Sequence, residues 1–229
     1  MIKRVPTGID QFDDLIKGGF KKNSVNLVAG KAGTGKTIMA MQYLINGVKK
    51  FNENALYITF EEKKTYKDMM ELGWDLKRLE GDGKFIYMEY SPEQVKKVLV
   101  EGGGIIETII EKNNIKRLVI DSITSFSLLY QDELTKKEAS LALFELIDKW
   151  NCTAILTSQD QNPDETIISA AIEFEVDSII LLYHVKQKGI RTRAIEILKM
   201  RGTDHPDKTM VMDITNNGIK IFPDKIAEF

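Results

Sequence analysis

The sequence has one cysteine, no long apolar run and no excess of basic residues. Cys152 alone cannot form an intramolecular disulfide, which excludes a disulfide scaffold and favours a reducing compartment. It lies between Trp150 and the apolar run 153–158, where a buried structural cysteine is more typical than a nucleophile. No apolar run approaches the ~20 residues that span a bilayer, and residues 1–10 lack the apolar segment of a secretory signal. We therefore expect a cytoplasmic protein without membrane insertion.

The charge balance bears on the class of partner. The 229 residues include 32 Lys and Arg against 34 Asp and Glu, a formal net charge of −2. Because a protein that holds nucleic acid through many phosphate contacts usually carries a basic excess, this composition disfavours a nucleic-acid partner. It still leaves room for a local basic face. The length and the 43% of apolar residues predict one domain over residues 1–229.

Short apolar runs alternate with amphipathic stretches along the first 160 residues. This alternation of nearly continuous apolar strands with helices predicts an α/β fold, with a mostly parallel sheet flanked by helices on both faces. After about residue 175, four strands follow without helices between them, which predicts a C-terminal antiparallel extension of the same sheet. The principal helices are predicted over 35–50, 103–113 and 133–150, and the strands before residue 160 over 24–29, 55–60, 84–89, 116–121 and 153–158.

Two of these helices carry apolar residues at helical spacing. In 103–113, Ile105, Ile106, Ile109 and Ile110 form one stripe, and in 133–150 the residues predicted to point inward are Leu143, Leu146, Ile147 and Trp150.

The segment GKAGTGKT, residues 30–37, matches the phosphate-loop pattern G-x-x-x-x-G-K-[ST], with a predicted strand before it and a helix after it. Its glycines let backbone amides wrap around a phosphate, and the helix N-terminus adds a positive end. Lys36 is expected to reach the β- and γ-phosphates, and the Thr37 hydroxyl to bind Mg²⁺. The alternative, a glycine-rich turn without a ligand, is disfavoured because every position and both flanks fit. The nucleotide-binding residues predicted in this segment are Gly30, Ala32, Gly33, Thr34, Gly35, Lys36, Thr37 and Ile38.

Carboxylates and one amide stand at the ends of other predicted strands. Asp121 can join Thr37 around Mg²⁺, although an aspartate that caps the next turn would have the same pattern. Glu61 and Glu62 follow the second strand, where a carboxylate can accept a proton from an attacking water. The pattern leaves open which of the two is the base, and a helix N-terminus that favours acids also explains one of them. Gln159 can bond a γ-phosphate or can be an ordinary polar residue at a strand end.

A second basic cluster, Lys199 and Arg201, lies far along the chain from the phosphate loop. In a regular strand, odd-numbered residues share a face, so these two cations are expected to point the same way, roughly 6–7 Å apart. On the pattern alone, a solvated cationic strand edge is an equally good interpretation.

These motifs together resemble those of the RecA superfamily and, within it, the KaiC-like ATPases. The resemblance implies a RecA-like P-loop NTPase core that binds ATP and Mg²⁺ between the subunits of a hexameric ring and hydrolyses the ATP. The segments that carry it run in KaiC order from about residue 3 to 223: VPTGIDQFDDLIKGGF, GKAGTGKT, ITFEE, LGWDL, VIDSITS, EFEVDSIILL, RAIEILKMRGTDH and ITNNGIKIF.

The resemblance also implies roles for the second basic cluster. Lys199 and Arg201 would enter the neighbouring subunit's site and contact its γ-phosphate. Gly202, Thr203 and His205 would lie near the nucleotide at the same interface, although a histidine in an ordinary turn is nearly as good an interpretation. With Lys36 and the glutamate pair, the two cations complete the predicted catalytic set.

The sequence departs from the family at one position that bears on autophosphorylation. The autokinase half of KaiC carries a phosphorylated Ser-Thr pair shortly before the strand that corresponds to SIILL, and this sequence has Glu173 and Phe174 there. We therefore expect no autophosphorylation at that position, and the chain is more similar to the ATPase half.

Three functions follow from the sequence. The first is a Mg²⁺-dependent ATPase that acts as a regulatory or signalling switch with an unknown protein partner. The second is a DNA-dependent ATPase similar to RecA or RadA; the loop 159–177, which has acids but no lysine or arginine, argues against it, while the basic segment 186–193 keeps it open. The third is a scaffold that binds ATP but hardly hydrolyses it.

Overall fold

The computed structural model describes residues 3–60, 64–91, 93–94, 97–98, 104–127, 130, 132–159, 175–187 and 189–228. The strands are β1 (Arg4–Val5), β2 (Phe20–Lys21), β3 (Val25–Gly30), β4 (Asn54–Thr59), β5 (Phe85–Glu89), β6 (Ile115–Asp121), β7 (Thr153–Gln159), β8 (Ser178–Gln187), β9 (Ile190–Met200), β10 (Met210–Thr215) and β11 (Gly218–Ile226). The helices are α1 (Phe12–Leu15), α2 (Lys36–Phe51), α3 (Lys64–Glu71), α4 (Leu76–Gly81), α5 (Gly104–Lys112), α6 (Ile123–Ser127) and α7 (Glu133–Lys149).

Nine of the strands form one sheet in the order β11-β10-β9-β8-β3-β7-β6-β4-β5, and β1 pairs with β2 in a separate antiparallel hairpin. The strands from β8 to β5 in this order are parallel to one another, and β9, β10 and β11 are antiparallel to their neighbours. The predicted α/β fold with a C-terminal antiparallel extension is confirmed. The predicted starting point is wrong by one strand, because β8 is parallel to β3 and the extension begins at β9.

Helices cover both faces of this sheet and bury two separate apolar clusters. On one face, α2 packs Met41, Leu44 and Val48 against side chains such as Tyr57 of β4. On the other face, α5 and α7 pack against the remaining strand side chains. The four residues predicted to point inward from 133–150 are all buried: Leu143, Leu146, Ile147 and Trp150.

The apolar stripe of α5 is narrower than predicted. Ile106 and Ile110 are buried, but Ile105 is 61% exposed, so the predicted stripe is buried only in part. A helix that covers the side of a sheet needs only a stripe about one third of its circumference, and Ile105 lies outside that stripe. Among the helices described, none has both the length and the hydropathy that crossing a membrane would require.

The parallel strands bring their carboxyl ends to one edge of the sheet. Gly30 at the end of β3 pairs with Gln159 at the end of β7, and Thr59 at the end of β4 pairs with Asp121 at the end of β6. The predicted polar strand ends therefore lie side by side. Because β9 runs the other way, its last residue, Met200, pairs with Ser178 at the start of β8, on the opposite edge.

Candidate functional site

The phosphate loop connects the end of β3 to the start of α2, as predicted. A side chain at Gly30 or Gly35 would be strained. A Cβ on Gly30 would collide with the backbone carbonyl oxygen of Leu182, and one on Gly35 would lie 2.9 Å from Cδ1 of Ile214. Gly35 also has a φ of 105°, which L-residues rarely adopt. The loop is therefore pressed against β8 and β10, with the N-terminus of the 16-residue helix α2 behind it.

The Lys36 ammonium group is held at this loop. Its Nζ donates to the carbonyl oxygens of Gly30 at 2.8 Å and Lys31 at 3.0 Å. Thr34 adds a further bond within the loop, because its hydroxyl donates to the Lys31 carbonyl oxygen at 2.9 Å. The positive charge, the helix N-terminus and the loop amides thus lie together, which is the arrangement that binds a phosphate.

Asp121 lies at the centre of a group of hydroxyls beside the loop. The hydroxyls of Thr37 and Tyr57 each donate to its Oδ2 at 2.7 Å, and the Thr157 hydroxyl donates to its Oδ1. The structure thus brings together Thr37 and Asp121, the two predicted metal ligands. Tyr57 and Thr157 were not predicted, because within their strands they have the pattern of ordinary β-formers and no motif marks their hydroxyls.

A hydroxyl and a carboxylate oxygen are the hard donors that Mg²⁺ prefers, and Mg²⁺ in nucleotide sites usually takes one or two protein ligands with phosphate and water as the others. Within the described ranges, no group of three or more His, Cys, Asp or Glu could hold a metal by itself. The residues present fit a Mg²⁺ ion that arrives with a nucleotide. They do not fit a cation held by the protein alone.

The structure describes Gln159, the residue predicted to bond the γ-phosphate, but not the two glutamates predicted as catalytic bases. Glu61 and Glu62 lie outside the described residues, as do Glu173 and Phe174 of the predicted departure from the autokinase pattern. Gln159 is described, and its backbone N–H donates to the Thr124 hydroxyl at 2.8 Å.

Because Gln159 pairs with Gly30, it lies beside the first residue of the phosphate loop. Thr124 is a further residue that the sequence did not indicate.

The second basic cluster lies at the opposite edge of the sheet. Lys199 Nζ donates to the Val176 carbonyl oxygen at 2.9 Å, and the Arg201 backbone N–H donates to the Asp177 carbonyl oxygen at 2.8 Å. Asp177 in turn accepts the backbone N–H of Val25, the first residue of β3. Since a strand rises about 3.3 Å per residue, the length of β3 puts roughly 16 Å between this cluster and the phosphate loop.

The expectation that Lys199 and Arg201 share a face of one regular strand is wrong. The pairing of β8 with β9 shifts where Ile179 faces Lys199 and Ile180 faces Ile197, so Leu198 is an extra residue in β9. This bulge precedes both cations, so it changes their facing relative to Ile195 and Ile197 but not relative to each other. The expectation fails because Arg201 follows Met200, the last residue of β9, and is exposed, so it does not belong to the strand that carries Lys199.

The loop after Arg201 is attached to the N-terminal hairpin. The Arg4 guanidinium donates to the Thr203 hydroxyl at 2.8 Å and to the Gly19 carbonyl oxygen at 3.2 Å. Lys17 forms an ion pair with Asp204 at 3.0 Å.

Two more predicted residues belong to this loop. A Cβ on Gly202 would lie 3.0 Å from Nζ of Lys21. The predicted His205 is half-buried, with its Nδ1 3.4 Å from the carbonyl oxygen of Pro206. β1 and β2 thus hold the loop that carries the predicted interface residues.

The hairpin between β8 and β9 contributes charge on the phosphate-loop side. Arg193 Nε donates to the Gly33 carbonyl oxygen at 3.4 Å. Desolvation lowers the pKa of His184, and the charges of Arg193 and Arg191 lower it further. This lowering favours the neutral imidazole near neutral pH, so the arginines supply the positive charge of this hairpin.

Comparisons with known proteins agree with this architecture. The family model described as "ATPase: KaiC" matches residues 5–226. The chain is 33% identical over 231 residues to the circadian clock oscillator protein KaiC of Nostoc sp., covering 97% of this chain and 44% of that protein. It is 33% identical over 242 residues to the UPF0273 protein MJ1359 of Methanocaldococcus jannaschii, covering 99% of each.

The chain thus spans less than half the length of the KaiC proteins that it matches, but nearly the whole length of the archaeal relative. A solved structure, the KaiC-like protein PH0186 from Pyrococcus horikoshii, is similar with a TM-score of 0.86 and 31% identity. That match covers 97% of this chain and 100% of the solved one.

Proposed function

Because the chain belongs to the KaiC family of ATPases and has its RecA-like core, we propose that it binds Mg²⁺-ATP at the phosphate loop and hydrolyses it. The subunits form a ring, hexameric by analogy with the family, in which each site is completed by residues of the next subunit. The observation that carries the proposal is the 2.7 Å bond between the Thr37 hydroxyl and Asp121 at the base of the loop.

The residues of one chain bind and orient the triphosphate. Lys36 exchanges its bonds to the Gly30 and Lys31 carbonyls for bonds to phosphate oxygens, and the loop amides and the α2 N-terminus add to its attraction. Thr37 and Asp121 hold the Mg²⁺, which neutralises charge on the β- and γ-phosphates when bound.

Water activation is assigned to the glutamate pair. Glu61 or Glu62 accepts the proton of the attacking water, as the sequence predicts for a carboxylate shortly after the second predicted strand. Gln159, bonded through its backbone to Thr124, is the candidate that bonds the γ-phosphate.

The second basic cluster serves another subunit in this proposal. A separation of roughly 16 Å along β3 puts Lys199 and Arg201 beyond reach of the phosphate loop of their own chain. A head-to-tail arrangement brings the cluster of one subunit to the loop of the next, and such interfaces close into rings when the rotation permits. An arginine supplied in trans contributes on the order of 10³–10⁵ in rate in related phosphoryl-transfer enzymes.

The proposal includes a regulatory role. It is supported by the names of relatives, which are circadian clock oscillator proteins. We propose that the nucleotide state of the ring is read by a protein partner.

A mixing experiment tests the shared site. Lys36→Ala and Arg201→Ala proteins should each lose most ATP hydrolysis, because one lacks the phosphate-binding lysine and the other the arginine supplied to its neighbour. Random rings from equal amounts of the two should regain roughly a quarter of the wild-type rate, since about one interface in four pairs an intact loop with an intact arginine. Phosphate release measures the result.

The matched control mixes Lys36→Ala protein with the double variant Lys36→Ala/Arg201→Ala, which should regain nothing. If no ratio of the two single variants restores hydrolysis, the assignment of Arg201 to the neighbouring site is wrong. Wild-type turnover at background, with tight ATP binding, would instead favour the scaffold that the sequence left open.

A further inference from the structure

Tyr57 is a buried tyrosine whose hydroxyl reaches the proposed metal ligand. It lies in β4 two residues before Thr59, the strand partner of Asp121, and its side chain is fully buried. Its hydroxyl donates to Oδ2 of Asp121 at 2.7 Å. A phenol at this position is not needed to fill the core, since a phenylalanine has nearly the same volume.

The Tyr57 ring is held by two more tyrosines. It stacks on Tyr87 with 5.2 Å between ring centroids and 12° between planes. Tyr66 packs edge-on against Tyr87 at 5.1 Å, and its own hydroxyl donates to Glu80 at 2.6 Å. A ring fixed in this way delivers its hydroxyl to a defined point, because its two side-chain torsions are set by packing.

Of the three hydroxyls that bond Asp121, one is also a proposed metal ligand. Thr37 bonds Oδ2 but is also the side chain that holds Mg²⁺ in the proposed function. Tyr57 bonds Oδ2 and Thr157 bonds Oδ1, and neither is a metal ligand in the proposed function. Together they hold both carboxylate oxygens and oppose rotation of the group, whether or not Thr37 is engaged elsewhere.

We infer that Tyr57 is a positioning residue for the metal site, in that its hydroxyl fixes the Asp121 carboxylate in the orientation that binds the nucleotide-bound cation. Thr157 assists from the other oxygen. This inference rests on the proposed function, because it requires a cation at Thr37 and Asp121. Groups that orient metal ligands in this way typically contribute 10- to 100-fold to metal affinity.

Tyr57→Phe removes the hydroxyl and keeps the ring stack, so it isolates the proposed contact. Mn²⁺ replaces Mg²⁺ as the probe, and its binding to the ADP-loaded protein is measured by electron paramagnetic resonance of the free ion. We expect Tyr57→Phe to weaken Mn²⁺ binding by about 10-fold, and to leave ATP binding in EDTA within about twofold of wild type. Thr157→Val should also weaken Mn²⁺ binding.

Tyr87→Phe is the matched control, since it removes a hydroxyl from the same ring stack without removing a donor to Asp121. Equal Mn²⁺ affinity in Tyr57→Phe and wild-type protein would overturn the inference, as would an equal loss in Tyr57→Phe and Tyr87→Phe. If wild-type protein with ADP binds no more Mn²⁺ than ADP alone, the metal site itself is refuted, and with it the part of the proposed function that uses it.

Discussion

Cys152 shows how far its surroundings decide the chemistry of a residue. The side chain is buried, and its Sγ lies 3.5 Å from the carbonyl oxygens of Ile115 and Trp150. Burial raises the pKa of the thiol from 9.0 to about 12, and the charge of Lys116 opposes this rise only in part. Because the thiolate is the reactive form, Cys152 is inert in the folded protein. The sequence-based prediction of a buried structural cysteine is confirmed.

Thiol labelling tests this directly. In native protein at pH 8, Cys152 should react with a disulfide reagent slower by on the order of 100-fold than in guanidinium-unfolded protein, because the reaction must wait for local opening. The measurement is the absorbance of the released thiolate, with the unfolded protein as the one-equivalent control. Rapid native labelling would show that the thiol is accessible.

The raised pKa also sets a pH dependence. The folded protein favours the neutral thiol of Cys152. The resulting contribution to the free energy of unfolding is complete below pH 9 and is lost as the pH rises towards 12.

Single residues of the site were predictable where a motif requires their chemistry. The phosphate loop determines Lys36 and Thr37 by spacing, and Asp121 follows from the rule that ligands gather at the carboxyl ends of parallel strands. Tyr57 was not predictable, since a tyrosine in a strand is usual and its hydroxyl contact depends on a partner 64 residues away. Such contacts exist only after the strands have paired.

Between elements, Arg117 joins three parts of the chain that are distant in sequence. Its side chain is fully buried, and it donates to the carbonyl oxygens of Pro6 and Tyr43 and to the Glu53 carboxylate, at 2.8, 2.9 and 2.6 Å. The guanidinium also lies 4.6 Å from the centre of the Tyr43 ring. The N-terminal segment, α2 and β6 are thereby linked at the edge of the sheet opposite the phosphate loop.

Removing this arginine should be costly. Arg117→Met preserves most of the apolar volume but leaves two carbonyls and a partly buried carboxylate without their partner, so we expect a loss of about 3–5 kcal/mol in the free energy of unfolding. Chemical denaturation monitored by circular dichroism measures it.

The neighbouring Lys116 is exposed, and Lys116→Met should change stability by less than about 0.5 kcal/mol. Similar losses in both variants would show that the effect comes from charge and not from the buried bonds.

Helices and strands were predicted well where one hydrophobic periodicity persists along the element, and poorly where a bulge interrupts the pairing of two strands. Helix α7 lies within a residue of its predicted bounds, and each predicted strand of the parallel core is present. The bulge at Leu198 was not predictable, because an inserted residue leaves no mark in a run of alternating side chains. The parity argument about Lys199 and Arg201 failed for a different reason, because β9 ends at Met200, one residue before Arg201.

The whole molecule carries half of a proposed site at each edge of its sheet. With Mg²⁺ and a slowly hydrolysed ATP analogue, we expect light scattering after size-exclusion chromatography to give a mass near six times the 26.0 kDa of one chain. Wild-type protein without nucleotide should remain smaller under the same conditions. A wild-type mass that does not change on addition of the nucleotide would contradict assembly around it.

The reversed direction of β9 has a consequence for how the enzyme can be controlled. In the shared site that we propose, an isolated chain contains no complete centre, because β9 carries Lys199 away from the phosphate loop of its own chain. Turnover per chain then depends on protein concentration and vanishes on dilution, even with saturating ATP. A cell could silence such an enzyme by lowering its abundance below the assembly threshold, without an inhibitor and without depleting nucleotide.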